Sequence, residues 1–324
     1  MIKTGKEIGT FRKYLIEEFY DDYREGEINR RTFIRRVAFL TGSMAATIAA
    51  MSAVGCQPIE LPAPTEPMPT DAPAEEAAEL QPVPDAKSPF SVPEGDPAVN
   101  GSMVTFDSGG DEIMGYLASP AAEGVYPAML VCHENRGLNP HIEDVARRFA
   151  KEGYVALALD LLSREGGTAS HDRDAVPGLL TDAGADRHVG DFIAAADYLK
   201  SLDNVDGERM GMIGFCFGGG ITWRVATALP DLDAAVPFYG PAPDLEAVSD
   251  INAAVLGVYA GEDERINGGI PDLQAALDEA GTTYEMNIYP GVGHAFHNDT
   301  GERYNEEQAT QAWQDALAWF AEHV

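Results

Sequence analysis

Met210-Gly211-Met212-Ile213-Gly214-Phe215-Cys216-Phe217-Gly218-Gly219-Gly220 decides the fold of this chain. An apolar run, a G-x-C-x-G-G turn and an immediate helical pattern are the parts of a nucleophile elbow with cysteine where serine is commoner. The sharp turn strains the nucleophile and crowds the positions two before and two after it, hence Gly214 and Gly218. A sulfur at a helix amino terminus is favoured as thiolate, its reactive form, and the N–H of Phe217 is aimed at the oxygen of an attacked carbonyl. The competing reading is an inert cysteine in a tight strand-to-helix crossover; the glycines on both sides favour the elbow.

Outward from the elbow, short apolar runs alternate with helical patterns. Residues 128–132, 155–159, 210–214, 254–259 and 284–289 read as strands, and 142–151, 186–202, 219–228, 271–279 and 306–323 as helices. In the second helix Val189, Phe192, Ile193, Ala196 and Leu199 form one stripe at three- and four-residue spacing. Such alternation predicts an α/β domain over 99–324, a mostly parallel central sheet with helices on both faces. A parallel sheet carries its chemistry at the carboxyl ends of the strands. A thiol nucleophile there needs an acid and then a histidine later in the chain. The strand over 254–259 runs into Glu262-Asp263-Glu264, and the strand over 284–289 into Pro290-Gly291-Val292-Gly293-His294. Asp263, with the shorter arm, is favoured over Glu262 and Glu264, which are expected to face solvent. His294, in a glycine-rich turn, is favoured as base, and His297 is read as a structural histidine. No serine in 99–324 stands in G-x-S-x-G, so a serine hydrolase has no support.

The elbow, the Asp263 loop, the run from Tyr289 to Phe296 and the run His133-Glu134-Asn135-Arg136-Gly137-Leu138-Asn139 together resemble the dienelactone hydrolase family of α/β-hydrolases, over nearly all of residues 100–324. The resemblance implies an α/β-hydrolase fold and an enzyme that opens small esters or lactones through a thioester, without metal or cofactor. It makes Cys216 the nucleophile, His294 the base and Asp263 its orienter. It further implies that Glu134 holds the resting thiol and governs its ionisation, that the backbone N–H of Asn135 completes an oxyanion hole with that of Phe217, and that Arg164 grips a substrate carboxylate. Arg164 in a plain ion pair is the alternative. Where well-known members have a second carboxylate-binding arginine, four residues after the histidine, this chain has Asn298, and Arg136 or Arg265 would have to stand in for it. His133-Glu134 is not followed by a second histidine at helical spacing, so no zinc helix is expected. The rival from another functional class is a surface lipoprotein that uses the fold only to bind a ligand or partner.

Of 324 residues, 53 are acidic and 22 are Lys or Arg, a net charge of −31, which excludes a nucleic-acid partner. Residues 1–55 depart from this balance, with nine basic and seven acidic side chains. Within them Arg30-Arg31-Thr32-Phe33 and an uncharged run, Val37 to Val54, resemble a twin-arginine export signal. Ala53-Val54-Gly55-Cys56 resembles a lipobox, which makes Cys56 a candidate for lipidation and membrane attachment; a single membrane-spanning helix is the competing reading. Residues 57–98 hold 11 of the 21 prolines and nine acidic groups, so 56–98 is expected to be an extended, disordered tether. Three cysteines exclude a disulfide scaffold, and Cys132 and Cys216 are expected to stay free. The surface charge suits a salt-rich habitat and disfavours anionic substrates. Oligomeric state is not legible.

Overall fold

The computed structural model describes residues 10–24, 28, 30–41, 80 and 82–324. Cys56 and residues 42–54 of the uncharged run before it lie outside the described residues. The chain divides into two compact units, one of Leu80–Asp172 with Ala183–Val324, the other of Met1–Glu79 with Arg173–Asp182.

The larger unit is built on an eight-stranded sheet in the order β1-β2-β4-β3-β5-β6-β7-β8. Its strands are β1 (Val99–Ser108), β2 (Asp111–Pro120), β3 (Tyr126–Cys132), β4 (Val155–Leu159), β5 (Val205–Phe215), β6 (Ala234–Phe238), β7 (Ala254–Ala260) and β8 (Tyr284–Tyr289). From β4 across to β8 every pairing is parallel, and β1 and β2 close one edge as an antiparallel hairpin. β4, β6 and β7 are buried along their whole length, the mark of strands covered on two faces.

Two layers of helix provide that cover. A Cβ on Gly211 would strike Phe320 of the terminal helix, whereas one on Gly214, three residues along β5 and so on the other face, would strike Thr222 of the helix after the elbow. The helices of this unit are α3 (Pro140–Lys151), α5 (Ala185–Lys200), α6 (Phe217–Ala228), α7 (Glu264–Asn267), α8 (Ile270–Ala280) and α9 (Glu306–His323). α3 starts where Asn139 accepts from the backbone N–H groups of His141 and Ile142, with Pro140 in the first turn. α3 and α9 meet through Phe149, 4.8 Å from Trp313 and 5.7 Å from Phe320 between ring centroids.

Residues 82–98, expected to belong to the tether, are anchored. Val83 and Val92 are buried. Val92 N–H donates to Asp144 Oδ1 at 2.6 Å, Arg147 donates to Val92 O at 2.8 Å, and Ser88 N–H donates to Asp299 Oδ2 at 3.0 Å. The two carboxylates are held by Arg148, which reaches Asp144 Oδ2 and, at 2.9 Å, Asp299 Oδ2. Two N–H groups of this proline-rich strap are thus satisfied by buried carboxylates, which composition alone does not reveal.

In the smaller unit, α1 (Thr10–Arg24) and α2 (Arg30–Thr41) pair through stacked Tyr23 and Phe33 rings, 5.5 Å apart, and through Arg36 on Asp22 at 3.3 Å. Arg35 and Arg36 both contact Asp174, each at 3.1 Å, at the base of α4 (Val176–Ala183). The basic block expected to mark an export signal lies on α2. Among the described residues no helix is long and apolar enough to cross a membrane.

Candidate active site

β5 delivers Cys216 into the first position of a turn with φ 58° and ψ −116°, and α6 begins at the next residue. That conformation is sparsely populated for any residue with a side chain. Its surroundings hold it there: Cys216 N–H donates to Phe238 O at 3.0 Å, and Cys216 O accepts from Gly220 N–H at 3.2 Å. A Cβ at Gly214 would lie 2.3 Å from Gly218 O, and one at Gly218 would lie 2.4 Å from His133 O, so both positions exclude a side chain. Neither Cys132 nor Cys216 is in a disulfide. Burial pushes the Cys132 thiol well above its ordinary pKa, which leaves it inert.

The acid and the imidazole arrive on neighbouring strands. Loops after β7 and β8 are stitched together by Gly261 N–H on Tyr289 O at 2.7 Å and Glu262 N–H on Val292 O at 3.0 Å. Asp263 is buried at their junction while Glu262 and Glu264 are exposed. Its Oδ2 accepts from His294 Nδ1 at 2.5 Å, and its Oδ1 accepts from Ile266 N–H at 3.3 Å at the start of α7. Burial raises the Asp263 pKa, but the His294 imidazole, the Arg265 guanidinium and the Ile266 N–H outweigh it and hold the carboxyl below its usual range. A ring nitrogen of His294 lies within 4.8 Å of Cys216 Sγ. Nδ1 being taken by Asp263, Nε2 is the atom left for the sulfur, and it has no hydrogen-bond partner among the described residues. His297 sits in the core instead, stacked on Phe215 at 5.1 Å; burial and the charges of Arg148 and His141 drive its pKa well below normal.

After β3 the chain turns over His133, whose Nδ1 donates to Glu134 O at 2.6 Å while Nε2 accepts from Leu161 N–H at 3.4 Å. This fixes Glu134, whose Oε2 accepts from Asn298 Nδ2 at 2.6 Å. Asn135 follows, buried beside the elbow's strand end, and Arg136 is half-buried.

The family model for the dienelactone hydrolase family matches residues 113–324. The chain belongs to that family. It is a hydrolase of ester or lactone bonds with the α/β-hydrolase fold. A protein of Salmonella typhi that carries the name carboxymethylenebutenolidase is 35% identical over 243 residues, covering 70% of this chain and 89% of its own. A Saccharolobus solfataricus protein of the same name is 35% identical over 248 residues, covering 65% and 94%. A crystal structure described as a dienelactone hydrolase, from Klebsiella pneumoniae subsp. pneumoniae, aligns with a TM-score of 0.65 at 34% identity, over 70% of this chain and all of that one.

One expected member of this family site is elsewhere. Arg164, read as the grip for a substrate carboxylate, has its guanidinium filled: Nε on Asp111 at 2.6 Å, Nη1 on both oxygens of Asp191 at 2.8 and 2.7 Å, and Nη2 on Ser108 O at 2.9 Å. It ties the β1–β2 edge to α5, the ion-pair alternative, because two acids within its reach outcompete any transient ligand. Two residues of the site were not singled out as members of it. Tyr239 stands at the end of β6, a strand hidden by Pro237; had β6 been recognised, its carboxyl end would have pointed to Tyr239. Asn298 was noted as a departure from the family pattern, and its bond to Glu134 is visible only in three dimensions.

Proposed function

We propose that this hydrolase works through a cysteine nucleophile and a thioester. His294 Nε2 takes the Cys216 proton, the thiolate attacks the ester or lactone carbonyl, and the backbone N–H groups of Phe217 and Asn135 hold the oxyanion. The C–O bond breaks as His294 returns the proton to the leaving alkoxide, and His294 then activates the water that hydrolyses the thioester. Asp263 keeps the imidazole in the tautomer with Nε2 unprotonated and stabilises the imidazolium. Glu134, held by Asn298, governs the thiol's ionisation. The observation that carries the reading is the His294–Asp263 hydrogen bond with a ring nitrogen of His294 within 4.8 Å of the Cys216 sulfur, at a strained, glycine-hemmed turn. The substrate is a small ester or lactone, and with Arg164 occupied it need not carry a carboxylate. In the full chain, Cys216→Ala should lower kcat/KM for a generic aryl ester about a million-fold if the triad acts as a unit. Mass spectrometry of the wild type during turnover should find the acyl group on the Cys216 peptide. A variant within tenfold of wild type would remove the sulfur from the mechanism.

We further propose that residues 1–55 act as a twin-arginine export signal and that Cys56 is lipidated, so that the enzyme works outside the cytoplasmic membrane, attached to it. The pairing of Arg30-Arg31 with a long uncharged run ending in Gly55-Cys56 supports this. Recovery of unprocessed chain in the cytoplasm of an expressing cell with an intact export pathway would contradict it.

A further inference from the structure

Tyr239 leaves β6 with φ 37°, in the left-handed region where a bulky side chain is strained. Strain of this kind persists only where the surroundings impose it, and it gathers at functional sites. Here Tyr239 N–H donates to Val258 O at 2.7 Å, and the carbonyl just before it, Phe238 O, accepts from Cys216 N–H. The peptide that carries the tyrosine is therefore tied to the elbow itself. Its ring is thrown over His294, 4.9 Å between centroids, and backed by Phe296 and Phe215 at 5.8 and 6.4 Å.

The hydroxyl at the end of that ring is buried and makes no hydrogen bond of good geometry among the described residues, although Glu134 is near enough to act on it. Buried phenols nearly always have one. Glu134 Oε1 and His294 Nε2 are in the same condition. Three such atoms are thus brought by the ends of β3, β6 and β8 to the end of the sheet where β5 delivers Cys216, and a His294 ring nitrogen lies within 4.8 Å of its sulfur. Glu134 cannot swing away, because Asn298 holds its other oxygen at 2.6 Å. The charged groups that face Tyr239 are Glu134, Cys216 and Arg303, with His294 against its ring. Burial first, then the negative charges of Glu134 and Cys216, push the phenol pKa well up against a partial opposing effect of Arg303, so the hydroxyl stays protonated and can only donate to either anion.

We propose that Tyr239 is a further catalytic residue, whose hydroxyl donates to Glu134 while Cys216 is a thiol and turns to the sulfur as His294 removes its proton. This rests on the cysteine-nucleophile reading. In the step the S–H bond breaks and the proton goes to His294 Nε2; Tyr239 keeps its own proton and changes only its acceptor. The donation favours the thiolate over the thiol and sets the pH at which the nucleophile arms itself.

Tyr239→Phe removes one oxygen and keeps the ring on His294, so the fold should survive. The readout is the pH dependence of iodoacetamide alkylation of the Cys216 peptide in the full chain, resolved by mass spectrometry from Cys132 and Cys56. The variant should show an apparent thiol pKa raised by about one unit and, below that pKa, about tenfold slower alkylation. The same shift should appear when Tyr239→Phe is made on a Glu134→Gln background. An unshifted pKa overturns the proposal, and so does a shift that vanishes in the Glu134→Gln background, since the hydroxyl would then act on Glu134 alone. A wild-type Cys216 that alkylates no faster than an unactivated thiol overturns the nucleophile reading and this inference with it.

Discussion

Asp263→Asn isolates the electrostatic part of the triad. The substitution keeps Oδ1, which accepts from Ile266 N–H at the start of α7, so the local cap survives. What goes is the charge facing His294 Nδ1 across 2.5 Å. With charge centres about 4 Å apart and an effective dielectric of about 20, an Asp⁻–imidazolium attraction is worth about 4 kcal/mol. At 1.36 kcal/mol per decade, its loss costs on the order of a thousandfold in rate. The amide's NH₂ can also turn toward Nδ1 and favour the tautomer with the proton on Nε2, which cannot accept from sulfur, so the loss should be at least of that size. The assay is kcat/KM for a neutral aryl ester between about pH 5 and 9, beside a thermal melt to show that the variant is folded. Glu262→Gln and Glu264→Gln are the controls; both side chains are exposed, and both variants should stay within about twofold of wild type. A folded Asp263→Asn enzyme that keeps more than a tenth of its activity would refute the argument. So would a control variant that falls as far.

Gly218→Ala should destabilise the domain by about 1–3 kcal/mol and abolish thiol reactivity, because the new methyl meets only backbone, His133 O at 2.4 Å and Cys132 O at 2.7 Å; a melt and a thiol titration check it. Arg148→Met should cost about 3–5 kcal/mol in denaturant unfolding, since it leaves Asp144 and Asp299 buried together without their cation. The acid limb of stability should follow Asp299. Burial raises its pKa, but His141, Arg148 and the Ser88 N–H together hold it below the usual range. A depressed folded pKa contributes stability that is complete above the unfolded value of about 4 and drains away as pH falls below it, and Asp299→Asn should flatten that limb while lowering the neutral-pH plateau.

The parts of the fold legible in the sequence are those where one physical signal dominates. Val155–Leu159 and Tyr284–Tyr289 are short apolar or alternating runs between turns, and the structure has strands over the same residues. α9 over Glu306–His323 likewise has the predicted bounds. The β1–β2 hairpin escaped because Asn100, Gly101 and Ser102 weaken its first strand, which is mostly exposed and held by pairing rather than burial. β6 escaped for the opposite reason: it is fully buried but contains Pro237, which ordinarily argues against a central strand, and its ladder with β7 skips residues 236 and 237. The strap over 82–98 escaped because composition reports how a segment behaves alone. The carboxylates that hold it come from residues 144 and 299, far along the chain.

The site divides along the same line. Cys216, Asp263 and His294 each follow a strand, and their chemistry depends on residue type and on chain order, both of which a sequence displays. Arg164 and Asn298 depend on who else is within reach. An arginine at a strand end is a substrate grip only if its guanidinium is unoccupied, and Asp111 and Asp191, 53 residues before it and 27 after, occupy it. Asn298, a neutral amide, meets Glu134 where a second arginine would have brought a cation. A substrate anion placed there would find neither Arg164 nor a guanidinium at position 298 to receive it, in a chain whose net charge is already −31. The arrangement therefore argues for an uncharged acyl group. With one alcohol held constant, an ester of a neutral acid should be turned over faster than that of its carboxylated analogue. The gap should narrow in molar salt only to the extent that the repulsion comes from the exposed surface, because a charge at the sulfur is shielded from ions by the protein around it.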